Sequence, residues 1–282
     1  MRRLTFENAR GESIVFYLSP LVIESLTGIG EIDADLQSEK APYQDGDTYI
    51  DTLLQPRFID LEGVITRTDL ETIKFYRKHI LRVCNPKLGL GKITLELDGD
   101  VKEIYGTLDG SPVFPERGRE VWQKFMITWK CPNPYWRNPN QTSQPLKAYV
   151  GNFTLPFTLP FELGMSGSRT TLYNEGDIPA PIRIDIQGPV TNPQIINRTT
   201  GEWLKINRSI AADEVLHINT TPGKKRVEVY RGNEVYPALG YMDHDSDWIT
   251  LELGKNEIEH IADAGDRESL VAVTWNSMYV GI

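Results

Sequence analysis

A nucleophilic serine, a phosphate loop, a metal cluster or a pair of catalytic acids each demands its own spacing, and this sequence approaches several without completing one. Gly164-Met165-Ser166-Gly167 has the start of a nucleophile elbow, but the closing glycine is missing at the required spacing. Gly89-Leu90-Gly91-Lys92 has the tail of a phosphate loop, yet Ile93 stands where a serine or threonine would hold magnesium, and the first glycine is absent. The histidines His79, His217, His244 and His260 are scattered, none with a second ligand at helical metal spacing. Asp243-His244-Asp245-Ser246-Asp247 alternates acids as a calcium loop does, but Trp248 sits where that loop needs glycine and Gly254 where it needs glutamate. The segment therefore reads as a solvated turn before a strand Trp248–Leu253. A β-sandwich can bring distant acids together for glycoside cleavage, but nothing singles out a pair. Trp203, Trp248, Tyr236 and Tyr241 are open to two readings, stacking on sugar rings or packing in a core or subunit contact. The expectation is a protein that is not an enzyme, with no catalytic, cofactor or metal residue.

The elements that would position any site divide at Trp129-Lys130-Cys131-Pro132-Asn133-Pro134-Tyr135-Trp136. Pro132 and Pro134 force extended backbone and remove two amide donors, so neither helix nor central strand continues through them. Tyr135 and Trp136 are bulky enough to pin the joint between two halves, and polar sequence follows. The chain is long enough for two cores. Formal net charge is −9; residues 1–140 carry 18 Lys and Arg against 21 Asp and Glu, residues 141–282 carry 12 against 18. Neither half has the basic excess that draws nucleic acid to a surface. No apolar run is long enough for a membrane span, and no secretory signal is expected, so Cys84 and Cys131 are expected as thiols.

In the first half, residues 4–18 read as a strand pair around Ala9-Arg10-Gly11-Glu12, and residues 57–65 alternate as a strand. Between them, residues 19–51 lose periodicity, and the acids Glu31, Asp33, Asp35, Asp45, Asp47 and Asp51 cluster around an Asp45-Gly46 turn. That composition predicts a hairpin arm over about 31–51. Thr68 to Val83 reads as the one helix, with Thr68 and Glu71 as a capping pair and Leu70, Ile73, Tyr76, Ile80, Leu81 and Cys84 on one arc. Phe75 falls on the opposite, charged face, either as an ordinary exposed residue or as a contact for a neighbouring subunit. Two strands follow around Asp98-Gly99-Asp100, and a last one over 121–131. The half is α+β, one helix across antiparallel strands.

In the second half, Phe153-Thr154-Leu155-Pro156-Phe157-Thr158-Leu159-Pro160-Phe161 suits an extended edge or coil. Short strands then recur at 182–187, 194–197, 203–207, 215–219, 226–230, 248–253 and 270–279. Turns such as Pro222-Gly223 and Gly254-Lys255-Asn256 separate them, which predicts a two-sheet β-sandwich. The domains are thus 1–136, a linker or edge segment 137–169, and a sandwich 170–282, mainly β throughout.

Four stretches together resemble the distal tail protein family of siphophages, hub proteins of the tail tip. They are Lys40-Ala41-Pro42-Tyr43-Gln44-Asp45-Gly46 with Arg57-Phe58-Ile59-Asp60-Leu61-Glu62-Gly63; the helix ending Cys84-Asn85-Pro86; Cys131-Pro132-Asn133-Pro134-Tyr135-Trp136; and Asn174-Glu175-Gly176-Asp177 through Asn197-Arg198-Thr199-Thr200-Gly201, closing with residues 275–281. The resemblance implies a ring-forming N-terminal domain that closes a homohexamer, single or stacked back to back, by passing an arm to its neighbour, and a galectin-like C-terminal sandwich. It implies as partners the tail tube protein, the tape-measure protein, a tail-associated tip protein and a receptor-binding protein, with DNA only in passage and no membrane insertion. The location implied is the virion tail tip, with assembly in the host cytoplasm. Glu31, Asp33, Asp35, Asp45, Asp47, Asp51 and Phe75 would lie at the subunit contact or the lumen; Pro132, Pro134, Tyr135 and Trp136 would form the joint. A carbohydrate-binding adhesion module and a glycan hydrolase are the competing readings.

Overall fold

Alternating apolar residues in the first half build antiparallel strands that bury one face each, and the computed structural model describes residues 2–67, 69–116, 122–146, 168–266 and 268–282 of the chain. The protein is mainly β and divides into two compact units, Met1–Pro139 with Tyr279–Ile282, and Asn140–Met278. The run 153–161, Thr68 and Val121 lie outside the described residues.

In unit 1 the strands are β1 Arg2–Glu7, β2 Ser13–Phe16, β3 Leu21–Thr27, β4 Ala34–Glu39, β5 Thr48–Leu54, β6 Arg57–Ile65, β7 Gly91–Leu97, β8 Asp100–Leu108, β9 Gln123–Cys131 and β10 Trp136–Arg137. The main sheet runs β2-β1-β7-β8-β9-β6-β3, with β10 paired to β8. A parallel bridge between Tyr17 and Val22 brings its two outer strands together. Inside it Phe6 and Trp129 rings lie 5.5 Å apart, as do Phe16 and Phe125. The helix α1, Leu70–Val83, buries Ile73, Ile80 and Val83 in this core. Its cap differs from the expected Thr68 pair: Asp69 is the N-cap and its side chain accepts from the Thr72 amide at 2.8 Å. Leu70 and Leu81, expected on the buried arc, are 58% and 42% exposed, because the arc that touches the sheet is narrower and continues to Val83 and Cys84. Arg77 holds its guanidinium 4.9 Å over the Phe114 ring, so its stem is used in packing.

Unit 2 contains β11 Thr142–Leu146, β12 Ser168–Asn174, β13 Ala180–Gln187, β14 Val190–Thr191, β15 Gln194–Asn197, β16 Trp203–Lys205, β17 Ser209–Ile210, β18 Glu214–Asn219, β19 Arg226–Arg231, β20 Glu234–Pro237, β21 Thr250–Leu251, β22 Gly254–Ile261 and β23 Leu270–Trp275. One sheet runs β11-β23-β13-β18-β19-β20 with β21 on β13; the other runs β12-β22-β15-β16. Ile182, Ile184, Ile186, Leu216, Ile218 and Val273 form the core of this β-sandwich.

Two expectations fail here for one reason. The strand expected over Trp248–Leu253 shrinks to Thr250–Leu251, and the turn expected at Gly254-Lys255-Asn256 opens the eight-residue strand β22. Buried asparagines take the main-chain groups that a ladder would have paired. Asn197 donates to the Thr250 carbonyl at 3.0 Å, Asn174 to that of Leu251 at 3.2 Å, and Asn256 accepts from the Glu252 amide at 2.9 Å. The strand expected over 270–279 likewise stops at Trp275.

Truncating Ile184 to alanine, fully buried in the sandwich core, is expected to destabilise the protein by about 2–5 kcal/mol in urea unfolding. A loss below about 1 kcal/mol would contradict this packing.

Candidate functional site: an anchored acidic hairpin

Between β3 and β6 the acidic segment folds into a hairpin, β4 antiparallel to β5, that forms a separate two-stranded sheet. It runs three residues beyond the expected end at 51, to Leu54. Its residues are exposed or half-buried throughout, including Leu36, Tyr43, Tyr49, Ile50 and Leu53. A lone two-stranded hairpin is marginal in water, so its order depends on its root or on what covers it.

The root is built around Arg57. At the start of β6 this residue falls on the same inward face as Ile59 and Leu61, and it is 1% exposed. Its guanidinium donates to the carbonyls of Gly28 at 2.8 Å and Glu31 at 2.9 Å, to that of Pro134 at 2.8 Å, and to that of Val280. One side chain thus ties the outgoing strand of the hairpin to the Pro132–Trp136 segment and to the last residues of the chain. Burial pulls the guanidinium below its ordinary pKa, and the carbonyls supply the partners that a buried charge requires. Gly28 fits there because its backbone is left-handed, with φ +78°, and a Cβ would meet the Phe58 carbonyl oxygen at 1.8 Å. Trp136, fully buried, donates its indole N–H to the Ile29 carbonyl at 3.0 Å. Arg137 holds Glu103 at 2.7 Å and lies 4.1 Å over the Tyr105 ring.

The structure spreads the six predicted acids along the hairpin rather than gathering them. Glu31 is at the root, where its carboxylate accepts from the Gly28 amide at 3.1 Å. Backbone amides of Glu31, Gly28 and Gly30 hold that carboxyl below its usual range, so its stabilisation is present at neutral pH and lost as acid protonates it. The Asp33 carbonyl accepts from the Gln55 amide at 2.8 Å. Asp35 accepts from Gln37 at 2.7 Å and Asp51 from the Thr52 amide at 2.7 Å. Asp45 and Asp47 sit at the tip beside Gly46, and Asp47 accepts from the Ser38 hydroxyl at 3.4 Å. Phe75 lies apart on α1, exposed and stacked on His79 with ring centroids 6.2 Å apart. Of the joint residues, Pro132 is exposed, Tyr135 is half-buried with its amide on Asn133, and Pro134 and Trp136 join the Arg57 anchor. Sequence reasoning missed Arg57 as an anchor, although its parity with Ile59 and Leu61 marks it as inward.

The other groups with chemical promise resolve differently. The Asp243–Asp247 segment is a turn in which Asp243 accepts from Asn207 at 3.1 Å and from the Asp245 amide at 3.2 Å. Among the described residues no cluster of His, Cys, Asp or Glu could hold a metal. Trp248 packs against the sandwich core under Lys225, 5.3 Å from the ring centroid. Tyr236 and Tyr241 line a cleft of about 420 Å³ with Arg208, Glu214, Arg231 and Pro237. There Glu214, nearly buried, holds Arg231 at 3.1 Å and Arg208 at 3.4 Å. Among the described residues no helix is long and apolar enough to cross a membrane.

Two family models match the chain in order. Residues 9–159 match a phage tail protein RIFT-related domain, and residues 175–279 match a siphovirus-type tail component, C-terminal domain. Among solved structures the chain is similar to the SPP1 Dit protein, described as a paradigm of the hub adsorption apparatus in phages infecting Gram-positive hosts. The identity is 14% and the TM-score 0.68, over 97% of this chain and 98% of that one. It is also similar to a chain of the phage P2 baseplate in its activated conformation with calcium, at 11% identity and TM-score 0.57 over the full length of both. No curated protein matches the sequence.

Replacing Arg57 with methionine strips four carbonyls of a buried donor and is expected to destabilise the protein by about 3 kcal/mol or more. Amide exchange over residues 28–33 should accelerate with it. Arg57→Lys should recover less than half, since one ammonium cannot span four acceptors. Wild-type protection at residues 28–33 in Arg57→Met would show that the anchor lies elsewhere.

Proposed function

The chain belongs to the family of siphophage tail proteins whose RIFT-related domain it matches over residues 9–159, structural components of the tail tip or baseplate, and from that premise we propose that six copies close into a ring through the hairpin. The ring joins the tail tube to the adsorption apparatus and leaves a channel for the tape-measure protein and DNA. Its role is structural and not catalytic. The carrying observation is the hairpin itself: a two-stranded element anchored at its root by Arg57 and exposing Leu36, Tyr49 and Ile50 at 68%, 63% and 61%. Exposed apolar residues on an element this small are accounted for by a neighbour that covers them. A ring needs two different surfaces on each copy, and an arm passed forward supplies one of them.

The charge balance supports the same reading. Residues 31–54 carry seven acids against the single Lys40. A negative surface near the channel repels DNA phosphates and lets the strand slide rather than stick. In this reading residues 1–136 form the ring domain, 170–282 the sandwich, and Pro132 to Trp136 the joint. The tail tube protein, the tape-measure protein, a tail-associated tip protein and a receptor-binding protein are the partners, and the protein assembles in the host cytoplasm.

A carbohydrate-binding role has one observation in its favour, the cleft where Tyr236 and Tyr241 flank the Arg208–Glu214–Arg231 cluster. Calorimetry against host-wall glycans decides it: heat that disappears in Tyr241→Ala supports adhesion, and none at millimolar glycan removes it.

Deleting residues 34–54 and bridging the gap with a short glycine linker should give a folded single chain by light scattering. Survival of a ring-sized particle would refute the role given to the arm.

A further inference from the structure

The cleft of unit 2 is built from fixed elements. Arg208 precedes β17, Glu214 opens β18, Arg231 ends β19, Tyr236 and Pro237 lie in β20, and Tyr241 closes the short helical turn Leu239–Tyr241. That turn is tied down by the Asn207 amide, which donates to the Tyr241 carbonyl at 2.7 Å. Glu214 is 5% exposed and accepts from the Ala211 amide at 3.0 Å, from Arg231 at 3.1 Å and from Arg208 at 3.4 Å. A carboxylate held in this way sets two guanidiniums in place before any ligand arrives.

Donors are left over once those bonds are made. Arg231 spends Nε on Asp213 at 3.2 Å and Nη2 on Glu214, and Arg208 reaches Glu214 through Nη2 alone. Among the described residues nothing accepts from Arg231 Nη1, or from Arg208 Nε and Nη1. Beside these N–H groups stand two exposed rings, Tyr236 at 41% and Tyr241 at 47%. The Tyr236 hydroxyl donates to Glu234, and the Arg208 guanidinium covers one side of Tyr241, 5.3 Å from its centroid. The volume of about 420 Å³ falls within the roughly 300–1,000 Å³ of small-molecule sites. A sugar ring supplies what this arrangement can use, hydroxyls for the N–H groups and an apolar C–H surface for a tyrosine face.

Charge decides which kind of sugar. Arg208 and Arg231 stand against Glu214, Asp213 and Glu234, two cations to three carboxylates, so no positive excess remains to draw a phosphate or a carboxylate. An amino sugar would set its ammonium against the two guanidiniums that line the cleft. We propose that the cleft takes one uncharged sugar ring of a neutral polysaccharide, with Arg208 and Arg231 donating to its hydroxyls and Tyr241 packing against the ring. The inference rests on the adhesion reading of this cleft and names its ligand class. Glu214 is the positioning group, holding both guanidiniums from below.

Saturation-transfer NMR on the full-length protein reads such binding at millimolar ligand. The neutral probes are lactose, maltose and N-acetylglucosamine; the anions are glucuronate and glycerol phosphate, and the cation is glucosamine. At least one neutral sugar should receive saturation, equally at low and high salt, and no charged probe should. Tyr241→Ala should weaken that binding about tenfold or more with the melting transition unchanged, while Tyr241→Phe should keep it. Saturation of a charged probe that Tyr241→Ala abolishes overturns the neutral class and leaves the adhesion reading standing. Saturation of a neutral sugar that survives both Tyr241→Ala and Arg231→Ala overturns this cleft as its site. Silence from every probe overturns the adhesion reading and this inference together.

Discussion

One buried guanidinium sets the geometry from which the rest of unit 1 follows. Arg57 has no room to reach water, and its hydrogen bonds go to four carbonyls drawn from three separated stretches of chain. Such a group is stable only while all of those stretches are in place, because a buried charge that loses its acceptors is far costlier than one never buried. The consequence is structural coupling. The residues leading into the hairpin, the proline-rich segment before β10 and the last residues of the chain are either all seated or all loosened. The return of Tyr279–Ile282 to the first unit belongs to this arrangement.

An anchored root with an unsupported tip is an unusual use of a hairpin. Within one chain β4 and β5 gain only their mutual ladder, while Leu36, Tyr49, Ile50 and Leu53 remain in water. Proteins ordinarily blunt a free edge with charge, and the acids here do so on one face only. The other face carries Leu36, Tyr49 and Thr52, and a carboxylate reaches it only near the tip, where Asp47 accepts from the Ser38 hydroxyl at 3.4 Å. That asymmetry is consistent with the proposed contact between copies, and the family to which the chain belongs is one of structural tail proteins.

Much of this was legible in the sequence. Turn chemistry at Asp45-Gly46 marks the hairpin, and the alternation of Ile182, Ile184 and Ile186 marks the sandwich core. The prolines at 132 and 134 mark the end of β9. What stayed hidden was set by side chains acting on distant backbone. Asn174, Asn197 and Asn256 are polar residues whose distant main-chain partners a period-two reading does not reveal, yet they sit buried and rearrange the strands around residues 248–261. Arg57 was visible only as a violation of its own strand's pattern. The two faces of the hairpin required the register, and a bulge between Gln37 and Ser38 shifts that register by one residue. Counting along the sequence alone would have placed Tyr49 on the wrong side.

The proposed ring requires that copies of this chain assemble with one another. Negative-stain electron microscopy of the purified full-length protein, with mass measured on the same sample, tests it most directly. Six-fold rings with a central hole, at six or twelve times the 32.0 kDa chain mass, are expected. Single 32.0 kDa particles at high concentration, with the hairpin protected from amide exchange, would contradict it.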